Sequence, residues 1–398
     1  MKRCNVVALA VAGIAMAACG DGRMCIGGVP CGPVPLYDVN TPQPVQTGQR
    51  FASMAIGGWH SCMLGAAGDA WCWGSNEYGQ LGATSSDRCM DDLIACSPSP
   101  LKVAGARVFA SLAASDRFTC ALDGGGSAWC WGFGQGGQLG DGRRADSAVP
   151  VAVAGGHRFT ALSTSLFGSI TCGLESDGSL WCWGPGFNYG RNGPAPSDIP
   201  ARWSAVSGVA FRQISLGEAH ACGLDAVGRA WCVGANDFGT LGSGSAASSS
   251  VPVAVAGAQL FTQIAAGTDH TCALRADGQA WCWGHGPAVG DGGASDSTRL
   301  APVAVAGAQR FRSIASGAGR SCALTQTGAA WCWGDGGTGA LGDGASLTRA
   351  RPNPVAGGLS YAAIGAGNLA TCGIGADGTA YCWGWNETGA LGIPIVAH

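Results

Sequence analysis

Residues 271–284 read T-C-A-L-R-A-D-G-Q-A-W-C-W-G. Folding this stretch as a hairpin with Cys272 opposite Cys282 pairs Ala273 with Trp281, Leu274 with Ala280 and Arg275 with Gln279. Ala276, Asp277 and Gly278 remain as a three-residue loop, whose last position favours the left-handed region where glycine is cheapest. The same register sets the cysteines at a non-hydrogen-bonded site. There α-carbons lie roughly 4.5 Å apart, within reach of a disulfide. Alternation sends Cys272, Leu274 and Cys282 to one face and Trp281 and Trp283 to the other. Both faces are apolar, so both need a cover.

The stretch recurs seven times, with cysteines ten apart: Cys62 with Cys72, Cys120 with Cys130, Cys172 with Cys182, Cys222 with Cys232, Cys272 with Cys282, Cys322 with Cys332 and Cys372 with Cys382. Each copy has a glycine at the loop's third position, from Gly68 to Gly378. The first cysteines are 58, 52 and then 50 residues apart. A period near 50 is the mark of a repeat architecture. The simplest cover for each hairpin is its neighbour, tryptophans of one copy against sulfur and leucine of the next. Each unit adds a P-V-A-V-A-G strand (252–257) and an F-T-Q-I-A-A-G strand (261–267). Four short antiparallel strands make a propeller blade. Strands of the P-V type follow Pro100, Pro150, Pro200, Pro252, Pro302 and Pro354, and a seventh spans 44–48, before the first hairpin. Seven hairpins find seven such strands only if the N-terminal one completes the last blade. The expected fold is all-β: a seven-bladed β-propeller of four-stranded antiparallel blades, closed by an N-terminal Velcro strand that leaves no open sheet array.

The N-terminus has a targeting layout. Lys2 and Arg3 precede an apolar run from Val6 to Ala18, too short for a comfortable membrane span. The run M-A-A-C ending at Cys19 resembles a bacterial lipobox, in which the cysteine is lipidated and becomes the new N-terminus. Gly20 after it points to the outer membrane or cell surface by the same sorting rules. Cleavage after Ala17, releasing a soluble periplasmic or secreted protein, is the alternative. The expected domains are a signal peptide at 1–18, a lipid-anchored Gly/Pro-rich tether at 19–41 and the propeller at 42–398.

There are 20 cysteines. Cys4 leaves with the signal, Cys19 takes the lipid and fourteen form the hairpin pairs. The rest fall into two local pairs, Cys25 with Cys31 and Cys89 with Cys96. A fully pairable set suits an oxidising compartment. Zinc is excluded by spacing, since cysteines ten apart across a hairpin are not zinc knuckles. The net charge of −3 becomes more negative when Lys2 and Arg3 leave, which argues against a nucleic-acid partner.

The repeat F-x-x-I-x-x-G-x-x-H-x-C-A-L-x-x-D-G-x-A-W-C-W-G-x-N-x-x-G-x-L-G-D-G resembles the regulator of chromosome condensation repeat family, including its alpha-tubulin suppressor-like group. The resemblance runs from about Pro42 to the C-terminus and implies the seven-bladed propeller. It leaves function open, because such folds host many. Family members include a nuclear nucleotide-exchange factor, an ultraviolet-B receptor and a secreted inhibitor of beta-lactamase. The signal, the disulfides and the acidic charge set this chain apart from the first. Its tryptophans mostly occupy the two hairpin positions, a packing role that sets it apart from the second.

No catalytic motif is present: no G-x-S-x-G elbow, no H-E-x-x-H and no P-loop. No cofactor is expected. His60, His220 and His270 share one repeat position, where a structural or rim role is expected. Asp141, Asp291 and Asp343 sit in L-G-D-G-like turns as ordinary turn acids. In each blade the connections between strands 1 and 2 and between strands 3 and 4 share one face of the disc. That loop face collects the irregular segments, with candidate binding residues Trp59, His60, Tyr78, Phe133, Tyr189, Arg191, Phe238 and Trp385, and the 85–98 insertion clipped by Cys89 and Cys96. The expectation is a monomeric, non-catalytic exported scaffold that binds a protein or glycan through these loops and the membrane through its lipid. A regulator of a secreted enzyme and a hydrolase or lyase at the channel mouth are the alternatives.

Overall fold

The structure is a computed structural model that describes residues 38–167, 170–186, 194–203 and 208–395, with two short strands nearer the N-terminus. It divides into two units, 1–37 with 396–398, and 38–395. In the first, Met16–Ala18 pairs antiparallel with Met24–Ile26. Cys4, Cys19, the expected pair of Cys25 with Cys31, Tyr189 and Arg191 lie outside the described side chains.

The second unit is the seven-bladed propeller, and each of its seven sheets contains one cysteine hairpin. Blade 5 is representative, with strands Gln263–Ala266, His270–Leu274, Ala280–His285 and Thr298–Ala304 in order from the centre outward. Its hairpin register pairs Cys272 with Cys282 and Leu274 with Ala280. The Arg275 N–H donates to the Gln279 carbonyl at 3.0 Å, and Gly278 has φ 78°. The other six hairpins repeat this register. Their cysteines are bonded as the spacing predicts. Cys62 joins Cys72, Cys120 joins Cys130, Cys172 joins Cys182 and Cys222 joins Cys232. Cys272 joins Cys282, Cys322 joins Cys332 and Cys372 joins Cys382. In every one of these pairs the α-carbons are 4.1 Å apart.

The N-terminal strand Asp38–Pro44 lies against Ala380–Trp385 and is the outer strand of blade 7. The first and last blades are thereby joined through one chain segment. This strand ends at Pro44 where the sequence suggests that it begins. The displacement is general: the outer strand of blade 4 is Ser249–Ala254, not 252–257. The reason is a register shift opposite Cys232 and Gly234, where the Ser249 hydroxyl donates to the Val251 carbonyl at 2.6 Å. The strand thus starts upstream of its proline. Pro252, which has no N–H to give, sits on the outer edge, where no neighbour asks for one.

The core is not one mass but seven clusters, each shared by adjacent blades. Between blades 5 and 6, Cys272, Leu274 and Cys282 pack against Phe311, Ile314 and Trp333. Blades 7 and 1 meet likewise, Cys372, Ile374 and Leu391 against Phe51, Ile56 and Trp73. Tryptophan on sulfur therefore runs round the ring, and the second tryptophan of each pair is fully buried. Blade 4 departs from this, with Val233 in the tryptophan position. There the preceding blade has Trp203 where the others have valine, and the two side chains share one cluster. Elsewhere the pair is inverted, as in Val255 with Trp283 and Val305 with Trp333.

Candidate functional site

The hairpins also fix the loops. The Trp283 indole N–H donates to the Thr240 carbonyl of the preceding blade at 2.8 Å, and the Thr271 hydroxyl donates to the same oxygen at 3.1 Å. Trp131 and Thr119 grip Gln80, Trp333 and Ser321 grip Ala288, and Trp383 and Thr371 grip Ala340 in the same way. Each gripped carbonyl sits just before the Leu-Gly (or Val-Gly) step that ends a loop. The hydroxyls opposite the second tryptophan therefore anchor loops, a role hidden in a sequence because donor and acceptor belong to different repeats.

On this base the loop face carries aromatic pairs that bridge neighbouring blades. Trp59 and Trp385 join blades 1 and 7, with ring centroids 5.7 Å apart and edge to face. Tyr78 and Phe133 join blades 1 and 2 at 5.0 Å, also edge to face. The Arg117 guanidinium lies 5.3 Å from the Tyr78 ring and bonds its hydroxyl at 3.5 Å. Phe238 and His285 form a separate pair at 5.3 Å between blades 4 and 5. These rings are partly exposed, Phe238 by 45%.

The insertion in blade 1 reaches towards blade 7, where Pro98 meets Gly389. It is closed by the Cys89–Cys96 bond, with α-carbons 5.9 Å apart. Met90, Asp91 and Asp92 all have positive φ, and Leu93 at the tip is 72% exposed. Asp91 approaches Glu387 of blade 7 closely enough that its charge adds to burial in raising the Glu387 pKa. Burial likewise raises that of Asp116, against the pull of Arg117 and a bond from Trp59.

The connections of this face are acidic. Glu77, Asp91, Asp92, Asp237 and Glu387 join Asp116, Glu218 and Asp269, while Arg88, Arg117, Arg143 and Arg144 are the cations among their described residues. The modest net charge of the whole chain conceals this concentration.

His60 does not belong to the exposed set. It opens a buried strand and is 1% accessible. His60, His220 and His270 point into the next blade, where their Nε2 atoms lie 2.7, 2.9 and 2.9 Å from Thr119, Thr271 and Ser321. Those hydroxyls give their protons to backbone carbonyls. Each therefore accepts from histidine, which fixes the Nε2–H tautomer. Burial lowers the three pKa values to about 4, 3 and 4. Phe118 and Ile170 at the equivalent positions are buried too. The shared role is filling an inter-blade gap.

Asp291 and Asp343 are occupied by their own blades. Asp291 accepts from Arg299 at 2.6 Å and Asp343 from Arg349 at 2.7 Å. No group of three or more metal-ligating side chains occurs among the described residues. No helix among them is long and apolar enough to cross a membrane.

The fold and its repeats can now be set beside known proteins. The regulator of chromosome condensation (RCC1) repeat matches residues 51–80, 67–122, 125–173, 211–240, 261–287 and 311–340, more than half of the chain. The chain belongs to the RCC1 repeat family. A human relative, the E3 ubiquitin-protein ligase HERC2, is 32% identical over 132 residues, covering 31% of this chain and 2% of that protein. The match thus spans only a small part of that protein's length. Among solved structures, yeast RCC1 (Prp20) bound to Kap60 superposes with a TM-score of 0.70 at 23% identity, over 85% of this chain and 82% of that one. Human WBSCR16 gives 0.71 at 16% identity, over 86% and 88%. The ectodomain of the Arabidopsis thaliana receptor kinase ACR4 gives 0.54 at 20% identity, over 87% and 100%. These three likenesses establish the RCC1 fold.

Proposed function

We propose that this RCC1-repeat propeller is an exported, lipid-anchored and non-catalytic scaffold that binds a protein partner through its loop face. The observation that carries the reading is the arc over blades 7, 1 and 2. Trp59 with Trp385 and Tyr78 with Phe133 form two bridging aromatic pairs, flanked by the clipped insertion and its exposed Leu93. Large rigid rings on loops held at their roots suit a protein interface, where aromatic anchors dominate affinity. The acidic surround favours a partner with a basic surface, through steering and selection against acidic competitors. Protein binding also fits the family, since yeast Prp20p is described with binding properties toward Gsp1p and histones.

Export rests on the N-terminal targeting layout, and the bonded cysteines are consistent with an oxidising compartment. The test exposes the mature chain to cell-envelope extract and compares it with a double variant, Trp59→Ala with Tyr78→Ala. Recovery of a defined protein by the parent and its loss in the variant support the reading. Equal recovery by both moves binding elsewhere.

A further inference from the structure

The opposite face of the disc holds the tight turns and, in blades 1–6, the first tryptophan of each hairpin. In blades 1–4 the protein gives that indole N–H a carboxylate of its own. Trp71 donates to Asp69 at 2.6 Å, Trp129 to Asp123 at 3.2 Å, Trp181 to Glu175 at 2.9 Å and Trp231 to Asp225 at 3.2 Å. Asp123, Glu175 and Asp225 all stand three residues after the first cysteine. In blade 5 that position is Arg275.

The exchange leaves a donor stranded. Trp281 Nε1 is buried without a partner. A buried unpaired donor costs about 1–3 kcal/mol, so the arrangement gains whenever an acceptor is supplied. The turn itself no longer needs the missing acid. In blades 2 and 4 that acid caps the amides of Ser127 and Arg229, whereas in blade 5 the Gln279 amide is capped by Asp277 at 3.0 Å. Above the turn lies an open hollow of about 590 Å³, lined by Gln259, Leu260, Arg275 and Asp277 among others.

We propose that this hollow binds a ligand's carboxylate, which takes the place that Asp69, Asp123, Glu175 and Asp225 hold in the first four blades. Arg275 supplies a charge-assisted bond and the Trp281 N–H a second. Trp281 does not itself line the hollow, so a bond to its N–H requires Arg275 to swing outward. That side chain is 40% exposed and is held by a 3.8 Å contact with Asp277. Asp277 opposes an anion at the rim. The site does not depend on the loop-face reading.

The experiment titrates the full chain, with ¹⁵N-labelled tryptophan, with N-acetylglutamate, and with its neutral analogue N-acetylglutamine as control. The Trp281 indole resonance is assigned through Trp281→Phe. A saturable shift of that resonance with the acid alone is expected. In Arg275→Glu, which restores the carboxylate in cis, the resonance should already sit at its bonded position and should not respond. Arg275→Ala should weaken binding about tenfold if the guanidinium contributes one charge-assisted bond. A peptide with one internal glutamate that binds more tightly than N-acetylglutamate assigns the site to a protein partner, and equal binding assigns it to a small acid. No saturable shift, or the same shift in Arg275→Glu, overturns the proposal.

Discussion

Trp203 of blade 3 fills the space that Val233 of blade 4 leaves open. The two are 4% and 3% accessible and lie in one cluster with Phe211 and Leu216. At the other blade junctions the large ring comes from the second hairpin tryptophan and the small side chain from the outer strand. The exchange conserves volume at a packed contact, the kind of change that cores tolerate best. Trp203→Val should cost about 2–4 kcal/mol by opening a cavity, and Val233→Trp about 1–3 kcal/mol by overpacking. The double variant should recover at least about 1 kcal/mol relative to the sum. Denaturant unfolding of the four proteins measures this coupling, and strict additivity would show that the residues do not share one space.

Each hairpin disulfide should stabilise its blade by about 2–3 kcal/mol through restriction of the unfolded chain. In a stacked array the loss of one staple is felt by its own blade and the two beside it. Replacing both Cys272 and Cys282 by alanine should therefore raise amide exchange in blades 4–6 more than in blades 1 and 2. Peptide mapping of the unreduced parent should recover Cys272 joined to Cys282. Free thiols at these positions would contradict the hairpin register.

The buried histidines predict acid sensitivity of a defined sign. Their folded pKa values, about 4, 3 and 4, lie below the ordinary value of 6.5. As pH falls through 6.5 the unfolded chain takes up protons that the folded chain refuses. Stability is therefore full above about pH 6.5 and declines towards pH 4, by up to about 1.4 kcal/mol per pH unit for each histidine. His60→Phe, which copies the residue of blade 2, should flatten this slope between pH 6 and 4. An unchanged slope would mean that His60 takes up its proton in the folded state.

The proposed lipid anchor predicts that Cys19→Ser abolishes incorporation of labelled fatty acid and, if the chain is exported as proposed, leaves it soluble. Undiminished labelling would end that part of the account.

Local features were legible in the amino-acid sequence. The loop glycine at 278, the Cys272–Cys282 register and the count that sends residues near 44 to the last blade all follow from short-range stereochemistry and one period. The outer strands were displaced because Pro252 reads as a strand start, whereas the Ser249 bulge begins the pairing upstream. His60 reads as a surface residue only if its own copy is considered, and Phe118 and Ile170 at the same position signal burial. The candidate site was legible in its larger aromatics and in the insertion clipped by Cys89 and Cys96, but not in its contacts. Arg117, Asp116 and Glu387 acquire their roles from neighbouring blades, and no pattern within one repeat reveals a contact between two.

The most direct test of the central claim places a photo-crosslinking amino acid at Leu93, on the loop face, and separately at Val251, on the outer rim. The cells retain their intact envelope. The account predicts one discrete protein adduct from position 93, lost when Trp59 and Tyr78 are replaced by alanine, and none from position 251. Adducts from position 251 alone, or an adduct at 93 indifferent to both aromatic replacements, would contradict it.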